Sequence, residues 1–169
     1  MVKKFRNNGA IGALLDEYER ANNELIQLIS TITDDQLVTI VDRQTTDKDC
    51  VSIQSILAHV VRAGFTYVNE IRKHINQPTR EKEEWAYSMR EPYQKALISM
   101  FAYTEELFDQ FPSIALEETD ASKKILVGWG QKYDVEQLME HAIVHILRHR
   151  RQIERFLLIL DHKGNVHNA

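Results

Sequence analysis

The sequence predicts an all-α fold, a four-helix bundle with a long connection before the last helix. Three observations carry this. Four long segments repeat apolar residues at the 3.6-residue helical period, and no segment alternates as a strand does. Only three prolines and six glycines punctuate 169 residues, of which 43% are hydrophobic. That is enough to bury a core and too little loop chemistry for a disordered chain.

The first segment runs from about Ala10 to Ile29. Leu14, Leu15, Tyr18, Ala21, Leu25, Leu28 and Ile29 form its apolar stripe, with Glu17, Glu19, Arg20 and Glu24 off it. Thr33-Asp34-Asp35 caps a short extra turn. The second helix follows Ser52, a cap residue, and is expected to end near Asn76 because Pro78 forbids continuation. The third begins at Pro92, a favoured first-turn residue, and ends near Phe111-Pro112. The connection from Pro112 to Tyr133 holds Gly128-Trp129-Gly130, and a connection this long is often functional. Asp134 and Gln137 fit a capping box for the last helix, which is expected to run to about Leu160, with Gly164 as a stop. The residues from 162 to 169 read as a frayed tail, and the whole chain reads as one domain.

Charge and composition exclude several functions. A net charge of −4 with no basic stripe argues against nucleic-acid binding. Lys3, Lys4 and Arg6 have no apolar run behind them, and no stretch is long enough to span a bilayer, so a cytoplasmic protein is expected. Cys50 is the single cysteine, so neither an internal disulfide nor a thiolate cluster can form, and a loop position without special reactivity is expected for it.

The chemistry concentrates in the last helix, where His141, His145 and His149 recur every four residues. That spacing stacks neighbours on one helical face, close enough for two imidazoles to share a metal ion. At about 100° per residue, with His141 at zero, the core residues of this helix centre near about 110°. His149 falls at about 80° and His145 at about 40°, so both face the bundle. His141 lies outside the apolar arc and is expected to face water or a partner. Gln152, at about 20°, neighbours His145. Arg148, Arg151 and Arg155 project outward, and Arg150 lies on the opposite flank. A third ligand must come from another helix. His59, at the edge of the second helix's apolar arc, is the best candidate, with small Ala63 and Gly64 one turn on to leave room and Thr66 and Glu70 on the same side. His74 lies near the helix end and ranks below it.

The run His145, His149, Arg150, Gln152 and Ile153 resembles the last-helix signature of the DinB/YfiT superfamily. Leu57-Ala58-His59 is similar to the position of that family's first ligand. The resemblance implies an up-down-down-up bundle, often a homodimer, with a three-histidine site for zinc, nickel or a similar ion at His59, His145 and His149. It also implies thiol-dependent transferases and isomerases that use bacillithiol, mycothiol or glutathione. One departure is Arg151, where the family usually has Gly.

Three histidines on a bundle leave an open coordination position, the pattern of a catalytic site. Three readings follow. A small thiol is activated for transfer to an electrophile, with Gln152 orienting one of them and Trp129 or Trp85 walling the pocket. Alternatively, a bound water hydrolyses a substrate, for which Glu70 is the nearest candidate base and a distant one. Or the site serves a non-catalytic stress-response module whose exposed row of His141, Arg148, Arg151 and Arg155 meets a partner. A di-iron bundle is excluded because no Glu is followed three residues later by His.

Overall fold

The computed structural model describes residues 5–81 and 83–166. Helix α1 spans Gly9–Ser30, a short α2 Asp34–Val38, α3 Ile53–His74, α4 Arg90–Gln110 and α5 Val135–Val166. The ends obey local chemistry. Ser52 and Ser55 form a reciprocal capping box at α3, and Asp134 and Gln137 do the same at α5, with Gln137 N–H donating to Asp134 Oδ1 at 2.9 Å. Past the end of α3, Asn76 takes a positive φ of 56°, the left-handed conformation that closes a helix. Helix α4 begins two residues before Pro92, which sits in the first turn, where no N–H is needed.

Two expectations are corrected. Helix α5 continues past Leu160 and through Gly164 to Val166, because one glycine costs a helix only about 1 kcal/mol. Residues 167–169 of the expected frayed tail lie outside the described residues. The connection before α5 carries a two-stranded antiparallel hairpin, β1 Ile125–Leu126 with β2 Lys132–Tyr133, paired Ile125 to Tyr133 and Leu126 to Lys132. Strands of two residues are too short to show an alternating pattern. Gly130, at φ +86°, makes the turn, and buried Ile125 and Val127 pin the hairpin to the core.

The four long helices pack as a square in which α1 and α3 each touch both α4 and α5. Residue pairings give the directions. Asn22 meets Leu97, while Arg6, three residues before α1, meets Glu105, so α1 and α4 are antiparallel. Gln54 meets Tyr87, just before α4, and Arg72 meets Gln110, so α3 and α4 are parallel. His59 meets His145 while Tyr67 meets His141, so α3 and α5 are antiparallel. The bundle is therefore up-down-down-up. Its core holds Tyr18, Leu25, Ile29, Ile56, Leu97, Phe108 and Leu138, all essentially inaccessible to water. Gly64 is a close-packing point: a Cβ there would lie 2.6 Å from Met100 Cγ. It serves the α3–α4 contact, and only Ala63 of the expected small pair lines the histidine side. Among the described residues no helix is long and apolar enough to cross a membrane.

Candidate metal centre

The antiparallel pairing of α3 and α5 brings His59 opposite His145 and His149. One ring nitrogen from each lies within 4.8 Å of the others, so the triad could hold a metal ion. His59 Nε2 and His145 Nε2 are 2.9 Å apart, and the three ring centroids are 4.5 to 5.0 Å apart. His149 is 3% exposed, whereas His59 and His145 open toward a cleft.

Neighbours outside the triad set which nitrogen is available. His59 Nδ1 lies 3.1 Å from Asp49 Oδ2, and His149 Nδ1 lies 3.0 Å from Gln152 Oε1. Both oxygens accept, so the two Nδ1 atoms carry hydrogen and both Nε2 atoms present lone pairs. Burial favours the neutral rings. It pushes His145 down to about 2, helped by the neighbouring His149, and His149 down to about 4, helped by His59. His59 is lowered as well, first by burial, with Asp49 opposing.

These features fit a divalent ion. Tetrahedral Zn–N bonds of about 2.0–2.1 Å require nitrogens roughly 3.3 Å apart, between the 2.9 Å and 4.8 Å separations found here. The donors are neutral imidazoles, oriented from outside by a carboxylate and an amide, which is how histidine ligands are commonly held.

The match of the DinB family model spans residues 1–160. The chain belongs to the DinB family. That span takes in α1 to α4, the hairpin and α5 as far as Leu160, and with them all three histidines. No curated protein matches the chain in sequence.

Within this DinB fold, two residues beside the site differ from the sequence reading. His141 is half-buried and lines the cleft, not a bare outer face. Its ring stacks on Trp129 at 5.8 Å, meets Tyr67 edge-on at 5.4 Å, and has Tyr133 hydroxyl 3.4 Å from its Nδ1. A helical wheel registers only the helix's own apolar arc, and here the hairpin covers the flank that the wheel leaves open. Asp49 escapes the sequence reading altogether. It sits on a 3₁₀ turn, Lys48–Cys50, folded back over α3, and also accepts from Arg62 Nη2 at 2.5 Å. No spacing rule links a loop aspartate to a histidine ten residues on. Cys50 shares that turn, its Sγ 3.8 Å from Gln152 Oε1, and burial raises its thiol. Of the two tryptophans, Trp129 lines the cleft at His59 and His145, while Trp85 stacks on Phe65 at 5.3 Å. Gln152 approaches His149 and Cys50, and Glu70 pairs with Lys73 at 2.7 Å. His74, Arg148, Arg151 and Arg155 are exposed, whereas Arg150 pairs across to Glu24 on α1.

Proposed function

We propose that this chain is a metal-dependent S-transferase. His59, His145 and His149 would hold a divalent ion, zinc or nickel, and a low-molecular-weight thiol and an electrophile would be the substrates. The observation that carries the metal assignment is the pair of hydrogen bonds, Asp49 to His59 and Gln152 to His149, that leaves two Nε2 lone pairs turned inward. The chemistry such an ion supplies is Lewis acidity that keeps a thiol, ordinarily of pKa about 8.5, in its nucleophilic form at neutral pH. The protein's own groups do the rest. Asp49 and Gln152 fix the ring orientations, so Gln152 acts as a positioning residue behind His149. Trp129, Tyr67 and His141 wall one side of the site.

A thiol is favoured over water because the described residues lining the cleft include no carboxylate. Hydrolysis needs a base within hydrogen-bond reach of the attacking water. Asp49 is already committed to His59 and Arg62, and Glu70 to Lys73.

The test loads untagged protein with zinc or nickel, counts bound metal, and assays 1-chloro-2,4-dinitrobenzene with and without glutathione or cysteine. One ion per chain and thiol-dependent turnover, both lost in His145→Ala, are expected. Turnover independent of thiol would transfer the assignment to hydrolysis. Metal uptake without turnover of any electrophile tried would leave a metal-binding module.

A further inference from the structure

We infer that the cleft between α3 and the hairpin is a preformed binding site for a flat aromatic molecule that carries no positive charge. As the electrophile's subsite it rests on the S-transfer reading, but the binding itself does not. The cleft encloses about 530 Å3 and runs from His59 and His145 outward to Trp129 and Gln131. That is room for one small ring system. Its α3 side offers the short side chains of Ala63 and Thr66, so a flat group can lie close to the helix.

Trp129 is the informative residue. It is 44% exposed, yet it does not hang loose. Its ring rests on His141 and meets Tyr67 edge-on at 6.0 Å, and its Nε1 donates to Gln131 Oε1 at 3.1 Å. The residues that carry it, Ile125 and Val127, are buried. A large apolar ring held in a fixed pose beside a cleft is a stacking surface prepared in advance, and preorganisation lowers the cost of binding. The charge of the walls selects further. Arg62, half-exposed and paired through Nη2 to Asp49, is the single charged residue among the described residues of the lining, so an anionic substituent meets a guanidinium there while a cation meets no carboxylate. A ring seated on Trp129 also lies in the same cleft as His59 and His145, within reach of the candidate metal centre.

The experiment titrates the full-length chain, first without added metal and then zinc-loaded, and reads tryptophan fluorescence and calorimetry. The probes are 4-nitrobenzoate, neutral 4-nitrobenzamide, cationic 4-nitrobenzylammonium and the non-planar cyclohexanecarboxylate. Saturable binding of the first two is expected, with quenching retained in Trp85→Phe. The cation and the non-planar acid should bind at least tenfold more weakly. Trp129→Ala should raise Kd roughly three- to tenfold, while Trp129→Phe, which keeps a ring, should recover most of the affinity. Equal affinity in Trp129→Ala, or a cation that binds as well as the benzoate, overturns the inference. His149→Ala, which removes a candidate ligand from outside the cleft lining, separates the two proposals. It should lose zinc and keep the probe. A wild-type chain that takes up no zinc but binds the probe through Trp129 refutes the metal reading alone. One that takes up zinc and binds none of the flat probes refutes the aromatic subsite alone.

Discussion

Replacing Asp49 by alanine should weaken metal binding about 10- to 100-fold without deleting any of the three ligands. Asp49 Oδ2 accepts from His59 Nδ1 at 3.1 Å and from Arg62 Nη2 at 2.5 Å. Without the carboxylate, His59 is no longer held as the tautomer that presents Nε2 to His145. The Arg62 guanidinium, already 3.3 Å from His59 Nδ1, then faces the ring with nothing between them. The loss of one orienting partner corresponds to about 1.4–2.7 kcal/mol of binding free energy. Folding should change by less than about 1 kcal/mol, because Asp49 and Arg62 are both substantially exposed. The assay is competition for zinc against a chromophoric chelator at pH 7.5, with stoichiometry measured beside affinity. Asp49→Asn is the discriminating control, since an amide oxygen can still accept the Nδ1–H. It should recover most of the loss. An alanine variant within threefold of wild type refutes the argument. An asparagine variant as weak as the alanine one shows that charge, not the hydrogen bond, does the work.

Three further outcomes are expected. His141→Ala should keep one ion per chain by elemental analysis, because its ring packs on Trp129 and Tyr67 outside the triad; a fall in stoichiometry would mean that the ligands are misassigned. Gly64→Ala should lower Tm by several degrees in a thermal melt, since its Cβ would lie 2.6 Å from Met100 Cγ, and overpacking of about 1–3 kcal/mol exceeds the roughly 1 kcal/mol gained in helix propensity; an unchanged Tm would contradict the close approach. In metal-free protein, stability should fall as pH drops from about 6.5 toward 4. His145 and His149 sit near 2 and 4 when folded and near 6.5 when unfolded, so over that window the unfolded chain binds more protons. Each ring should contribute about 1 kcal/mol per pH unit, a little under the full linkage slope because His145 is partly exposed. Urea melts across that range check the slope, and a flat profile would place charged histidines in the fold.

What the sequence reveals and what it conceals separate by the range of the signal. The four-residue spacing of His145 and His149 lies inside one helix, where geometry is fixed, and the caps at Ser52 and Asp134 are equally local. His59 is legible because a position on an apolar arc implies a facing helix. His141 is misplaced by the wheel because the covering group, Trp129, comes from a hairpin whose strands are too short to announce themselves. Gly64 falls on the wrong side because α3 has two buried flanks, and only the packing of Met100 and Tyr18 shows which one needs the missing side chain. Asp49 depends on a loop folding back over a helix, and no periodicity reports that.

The topology explains why the wall of the proposed binding cleft falls to the hardest segment to read. Parallel neighbours α3 and α4 oblige the connection between them to climb the whole bundle, about 33 Å for a helix the length of α3. That segment is occupied by the crossing, and Trp85 on Phe65 seals it down. The end of α4 and the start of α5 lie at the same end of the bundle, across a diagonal of only about 14 Å for helices 8–10 Å apart. An extended chain covers that in about five residues, yet the connection runs from 111 to 134. Most of its length is therefore not needed to join the helices and is available to build the hairpin wall. Substitutions at Trp129 and Gln131 should accordingly alter which molecules enter the cleft while leaving the triad untouched, because the histidines are carried by α3 and α5 and oriented by Asp49 and Gln152, none of them on the hairpin.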